Sequence, residues 1–81
     1  MTPDAIKSLI ERGLPGAQAL VESQDNTHFA ARVVAPQFEG KRTLQRHQLV
    51  YAALGELMGG EIHALSLQTL TAAELHDSAS R

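Results

Sequence analysis

The stretch that decides the fold is TLQRHQLVYAALGELM, residues 43–58. Its apolar residues recur at helical spacing, which predicts an amphipathic helix with one apolar stripe. Thr43 is the predicted N-cap, and Gly59 and Gly60 are the predicted end of the helix. The predicted stripe consists of Leu44, His47, Val50, Tyr51, Leu54, Leu57 and Met58.

Strand patterns flank this helix on both sides. Residues 28–35 place alternate apolar side chains on one face and Arg32 on the other. The stretch EIHALSLQTL, residues 61–70, alternates in the same way and places His63 on the face of the two leucines at positions 65 and 67. A helix that joins two strands of one sheet forms a crossover, so we expect these two strands to be parallel.

The remaining segments complete an α-β-β-α-β-α order. Residues 1–16 predict a short first helix with Thr2 as its N-cap. Residues 17–23 alternate weakly before the turn residues QDNT, which predicts a β-hairpin with the strand that follows. Thr71 and Glu74 match the capping box that opens a short C-terminal helix. We expect a single α+β domain over residues 1–81 with a short flexible tail from about residue 77.

Composition restricts the classes of function. The chain has 81 residues, no cysteine and a net charge of −2. A disulfide and a thiolate ligand of its own are therefore excluded, and a dedicated nucleic-acid binder would be expected to be more basic. The first twenty residues lack the apolar core of a signal peptide, and the longest uncharged run, residues 62–73, is too short to span a bilayer. We expect a cytoplasmic protein.

One segment is locally basic. Lys41, Arg42 and Arg46 lie close together on a chain that is otherwise acidic. This segment predicts a patch that docks a protein partner or a nucleic acid, although a solvated basic surface explains each residue taken singly.

The four histidines differ in their predicted environments. His28 begins one of the two parallel strands and His63 lies near the start of the other, so both are expected at the same rim of the sheet. Two imidazoles there are suited to zinc, copper or iron. The alternatives are a half-buried His63 that is bonded to the backbone and a simply exposed His28. His47 is expected to be structural and His76 to be solvated.

Taken together, several short motifs resemble those of the BolA family, and in particular its IbaG-type branch. The resemblance covers nearly the whole chain and implies a topology similar to that of class II K-homology domains, with a three-stranded mixed sheet. The motifs are a Phe-x-Gly loop, an Arg-His pair that opens a helix, and a His-Ala-Leu segment in the last strand. The residues are Phe38 and Gly40, Arg46 and His47, and His63, Ala64 and Leu65.

The resemblance also implies a partner and a cofactor. BolA-like proteins pair with monothiol glutaredoxins, and a [2Fe–2S] cluster is then held by a glutaredoxin cysteine, a glutathione thiolate and imidazole from the BolA-like subunit. His63 is the ligand that the resemblance implies, and His28 takes the role of the second ligand, which the family places in the preceding loop. Gln48 departs from the family, where a basic residue often follows the Arg-His pair.

The leading expectation is therefore a non-enzymatic partner of monothiol glutaredoxin that acts in iron–sulfur handling or stress response. The alternative is a nucleic-acid-binding transcriptional regulator, although Gly40 has no second glycine three residues away to complete a K-homology loop. A small hydrolase is not expected, because Ser66 lies three residues from His63 in a strand and faces the opposite side. Homodimer formation is left open.

Overall fold

The computed structural model describes residues 1–62 and 64–79, with the side chains of residues 78 and 79 excepted. His63, the principal predicted ligand, lies outside the described residues. The α-β-β-α-β-α order is confirmed. The elements are α1 (Pro3–Gly13), β1 (Gln18–Glu22), β2 (His28–Val34), α2 (Thr43–Leu54), β3 (Ala64–Leu70) and α3 (Ala72–Ala79), with short 3-10 turns at Pro36–Phe38 and Gly55–Leu57.

The strands form a mixed sheet in the order β1-β2-β3. β1 and β2 are antiparallel neighbours joined by the five residues 23–27, which confirms the predicted hairpin. β2 and β3 are parallel, as the crossover helix requires. Their register runs from His28 opposite Ala64 to Val34 opposite Leu70.

The core lies on one face of this sheet, under α1 and α2. Alternation in β2 buries Phe29, Ala31 and Val33, and the opposite face of the strand is largely exposed. Phe38 from the Pro36–Phe38 turn is fully buried, and Gly40 then turns the chain with a φ of +73°. The other buried apolar residues are Ile6, Ile10, Leu14, Ala17, Ala19, Ala35, Val50, Leu54 and Ile62.

Local hydrogen bonds cap the N-termini of the three helices. Thr2 caps α1 as predicted, because its side chain accepts from the N–H of Ala5. Thr71 and Glu74 form the predicted capping box of α3, with Glu74 accepting from the Thr71 N–H and Thr71 Oγ1 accepting from the Glu74 N–H. α2 differs from the prediction: its N-cap is Arg42, whose N–H donates to the Gln45 side chain.

The predicted apolar stripe of α2 is wrong in part. Val50 and Leu54 are buried as expected, but Leu44 is 69% exposed and Tyr51 38% exposed. The helix is rotated so that Arg46 lies toward the interior, where its guanidinium reaches several oxygen atoms. The helix also ends at Leu54 rather than at Gly59 and Gly60, because Gly55 takes a φ of +60°.

β3 is shorter than the predicted strand of residues 61–70. Ile62 is fully buried, but it forms an isolated bridge with Met58 instead of joining the main ladder. Its N–H donates to Leu57 and its C=O accepts from Gly59, so a local turn uses both backbone groups. In the described part of the chain, no helix is long and apolar enough to cross a membrane.

Candidate ligand site at the sheet rim

The register of the parallel strands defines one rim of the sheet. His28 and Ala64 are the first residues of β2 and β3, and they lie directly opposite each other. Neighbouring strands are about 4.8 Å apart. The two strands therefore start at one rim, as the sequence predicts, and His28 is part of it.

His63 itself lies outside the described residues, but both of its chain neighbours are well placed. Ile62 is fully buried and tied by two backbone hydrogen bonds to the turn before it. Ala64 is paired with His28 in the sheet. Residues 62 and 64 are thus both held by the fold, and Ala64 lies at the rim that carries His28.

The His28 side chain is exposed and has one partner in the protein. It is 67% exposed, and its Nδ1 lies 2.9 Å from Oδ2 of Asp25. Asp25 lies three residues earlier, in the hairpin loop. A histidine ligand of a metal commonly donates its other ring N–H to a carboxylate in this way.

The hairpin loop holds Asp25 in place. Oδ1 of Asp25 accepts from the backbone N–H groups of Thr27 and His28, each at 2.9 Å. Ser23 Oγ donates to the carbonyl of His28 at 2.7 Å and accepts from the N–H of Asn26 at 2.9 Å. Asn26 takes the left-handed conformation with a φ of +58°, which asparagine tolerates better than most residues.

These hydrogen bonds determine which nitrogen of His28 is free. The N–H of His28, its ring Nδ1 and the N–H of Thr27 hold the pKa of the Asp25 carboxyl well below its usual range. An ionised carboxylate only accepts hydrogen bonds, so the proton of this contact lies on Nδ1. In the neutral ring, Nε2 then carries the lone pair that a metal ligand needs.

The metal-binding side chains among the described residues suit a metal group that is shared with a partner. Within residues 1–62 and 64–79, no group of three or more His, Cys, Asp or Glu side chains is arranged to hold a metal ion. The chain also has no cysteine. The rim can therefore supply imidazole, and any thiolate ligand has to come from a partner.

An open cleft lies beside His28. It has a volume of about 590 Å³ and continues from the hairpin loop onto the outer face of the sheet. Small side chains line it there, at Ala30, Ala64 and Ser66. Because these residues leave the rim uncrowded, a bulky group on a partner protein has room to approach His28.

The three residues of the predicted basic patch differ in their exposure to solvent. Lys41 and Arg42 are exposed, which leaves them accessible to a partner. The side chain of Arg46 is only 11% exposed, and its guanidinium pairs with Glu74 at 2.6 Å and also donates to backbone oxygens. Most of the hydrogen-bonding capacity of Arg46 is therefore used inside the molecule.

The other two histidines are remote from the rim. His47 makes an edge contact with Tyr51, with ring centroids 6.4 Å apart, on the half-exposed side of α2. His76 is exposed on α3. Neither belongs to the group of residues around His28.

Asp25 is the site residue that the sequence analysis missed. The signal was present in DNTH, residues 25–28, where an aspartate that forms a turn lies three residues before the histidine. Turn propensity in QDNT predicts only the turn. The carboxylate's contact with the ring depends on the path of the loop, which turn propensity does not define.

Comparisons with known proteins agree on one family. The model of the BolA family, described as BolA-like protein, matches residues 11–74. The human BolA-like protein 1 is 50% identical over 52 residues, a match that covers 64% of this chain and 38% of the human protein. The DNA-binding transcriptional regulator BolA of Escherichia coli is 37% identical over 54 residues, which are 67% of this chain and 51% of that protein.

A solved structure extends the similarity to the full chain. The structure of a bolA protein homologue from Coxiella burnetii superposes with a TM-score of 0.81 at 44% identity, covering 100% of this chain and 99% of the other. The two curated relatives above are longer proteins, and the chain spans less than two thirds of each of them.

Proposed function

The chain belongs to the BolA-like family, and from this premise we propose that it is a partner of a monothiol glutaredoxin that shares or receives a [2Fe–2S] cluster. The family is generally non-enzymatic. The proposed role is in iron–sulfur handling or stress response, and the proposed branch of the family is the IbaG-type branch.

One observation carries this proposal. β2 and β3 are parallel and start at the same rim, with His28 opposite the residue that directly follows His63. The exposed ring of His28 has its Nδ1 on a carboxylate, so its Nε2 is the atom free to bind. We propose His63 and His28 as the ligands that this chain contributes.

The absence of cysteine defines what the partner has to contribute. The glutaredoxin cysteine and a glutathione thiolate complete the ligand set in this proposal, and the chain adds only neutral imidazole. Histidine in place of thiolate raises the reduction potential of a [2Fe–2S] cluster, as it does in Rieske centres. The exposed Lys41 and Arg42 are proposed to dock the partner. Arg46 pairs with Glu74 within the fold.

The test is a titration of the purified protein into [2Fe–2S]-loaded monothiol glutaredoxin, followed by visible absorption and circular dichroism. The wild-type protein is expected to produce a new cluster spectrum, because imidazole replaces a ligand. His63→Ala is expected to abolish this spectrum, and His28→Ala is expected to weaken or alter it. The matched control is His76→Ala, which removes an exposed histidine from α3 and is expected to behave as the wild type.

Two results would count against the proposal. One is the absence of any spectral change with the wild-type protein. The other is a wild-type spectrum from both the His63 and the His28 variants, which would show that the ligands lie elsewhere. Far-ultraviolet circular dichroism of each variant ensures that a lost spectrum is not a lost fold.

A nucleic-acid-binding regulator is the second candidate. It is favoured by the exposed pair Lys41 and Arg42 at the start of α2 and by the similarity to the E. coli protein, which is described as a DNA-binding transcriptional regulator. The net charge of −2 opposes it, because nonspecific binding to nucleic acid is mainly electrostatic.

A further inference from the structure

We propose that Asp25 is a positioning residue that fixes the tautomer and the orientation of His28, so that the ring presents Nε2 to the cluster. This inference rests on the proposed function. It assigns a role to a side chain that binds no metal in the proposal and acts only through the histidine.

Both carboxylate oxygens of Asp25 are engaged in hydrogen bonds. Oδ1 accepts from the backbone N–H of His28 and from that of Thr27, each at 2.9 Å, and Oδ2 contacts the His28 ring Nδ1 at 2.9 Å. Asp25 therefore binds the main chain and the side chain of the same histidine. This double contact holds the ring relative to the strand that carries it.

The hairpin loop that carries Asp25 is held by hydrogen bonds within the loop itself. The hydroxyl of Ser23 donates to the carbonyl of His28 at 2.7 Å and accepts from the N–H of Asn26 at 2.9 Å. The hydrogen bond between Ser23 and His28 thus joins the two ends of the loop that contains Asp25. A side chain that is already held in its binding geometry loses less conformational entropy when it binds.

The contact with Asp25 also determines the tautomer of the His28 ring. A neutral imidazole carries one proton, and the contact with the carboxylate keeps that proton on Nδ1. Nε2 then has a free lone pair. Carboxylate partners of metal-binding histidines typically contribute 10- to 100-fold to affinity in this way.

An alternative explanation is that Asp25 only stabilises the turn through its contacts with the backbone. The variant Asp25→Asn separates the two roles. The single oxygen of the amide can still accept from the backbone N–H groups and preserve the turn. Its NH₂ group would then face Nδ1 and donate to it, which favours the tautomer with the proton on Nε2.

The experiment is two-bond ¹H–¹⁵N spectroscopy of histidine side chains in the free protein, recorded at a pH at which the spectrum itself shows a neutral His28 ring. His28 of the wild type is expected to be protonated on Nδ1, and Asp25→Asn is expected to move the proton to Nε2. The affinity for [2Fe–2S]-loaded glutaredoxin is expected to fall by about 10- to 100-fold in this variant.

Gln24→Ala is the matched control, because Gln24 is an exposed residue of the same loop whose side chain takes no part in the hydrogen bonds of Asp25 or of the His28 ring. It is expected to retain the Nδ1-protonated tautomer. The inference is overturned if Asp25→Asn keeps the wild-type tautomer and the wild-type affinity, or if Gln24→Ala changes the tautomer as strongly as Asp25→Asn does.

The spectra also separate this inference from the function on which it rests. If Asp25 controls the tautomer but the wild-type protein takes up no cluster, the proposed function fails and the positioning of the ring by Asp25 is supported. If the wild type takes up the cluster and the tautomer does not depend on Asp25, the positioning role fails and the proposed function stands.

Discussion

The side chain of Arg46 contacts residues from several elements of the fold. Its guanidinium pairs with Glu74 of α3 and donates to the backbone carbonyls of Lys41 and Thr69. It also lies 5.8 Å from the centre of the Phe38 ring, a distance typical of a cation–π contact. The loop before α2, strand β3 and helix α3 therefore meet at this residue. The planar, multidentate guanidinium suits such a site better than a lysine ammonium would.

The partner of this arginine predicts how stability depends on pH. The hydrogen bond from Arg46, followed by that from the Thr71 N–H, lowers the pKa of Glu74 from 4.5 to about 2. A carboxyl group whose pKa is lower in the folded state stabilises the fold above its unfolded pKa. That stabilisation is lost as the pH falls from about 4.5 through about 2.

Glu74→Gln is therefore expected to lower the Tm at neutral pH and to make the decline of Tm below about pH 4.5 less steep than in the wild type. Thermal unfolding followed by circular dichroism between pH 7 and pH 2 measures both effects. A variant that declines as steeply as the wild type would show that the pair with Arg46 contributes nothing to acid sensitivity.

At the scale of elements, the contact between α1 and α2 depends on a glycine. Gly13 is the last residue of α1, and a Cβ atom built there would lie 2.5 Å from the Cβ of Ala53 in α2. Real Cβ atoms essentially never come so close, so the two helices would have to separate. The small residue at position 13 is required by the neighbouring helix.

Gly13→Ala is accordingly expected to lower the free energy of unfolding by about 1–3 kcal/mol, the usual cost of overpacking, although alanine is the better helix former. Urea denaturation measures this cost. The control is Ser8→Ala, at an exposed position of α1, which is expected to be neutral or slightly stabilising. Stabilisation by Gly13→Ala would show that the helices accommodate the methyl group without moving.

At the scale of the whole molecule, the distribution of charge limits binding to nucleic acid. The chain has seven Lys and Arg against nine Asp and Glu, and Arg46 is engaged internally. The exposed part of the basic patch is Lys41 and Arg42. Two cations neutralise about two phosphates, so the slope of log affinity against log salt is expected to be about −2.

Filter binding to duplex DNA at several salt concentrations measures this slope, and replacing both Lys41 and Arg42 by glutamine is expected to abolish the binding. Arg12→Gln, on α1, is the matched control and is expected to have little effect. Binding that depends on the DNA sequence and persists at moderate salt would instead favour the regulator hypothesis.

The sequence predicted only part of the site. It predicted the features that follow from chain connectivity and did not predict the contact that depends on the path of a loop. The placement of His28 at the rim followed from the crossover between β2 and β3, and the parallel register bears it out. The contact between Asp25 and the His28 ring was missed because it depends on the path of a five-residue loop. The roles of His63 and His28 as ligands remain predictions.

The sequence by itself determined the order of the elements, the hairpin, the parallel pairing and the caps at Thr2 and Thr71. These features depend on periodicity, turn residues and chain connectivity, which are local or topological. Only the tertiary structure decided which side of α2 faces inward and that Arg46 pairs with Glu74, 28 residues away. Periodicity shows which residues share a face of a helix. The oxygen atoms of Thr69 and Glu74 that accept from the guanidinium come from segments distant in sequence, and only the folded chain brings them to Arg46.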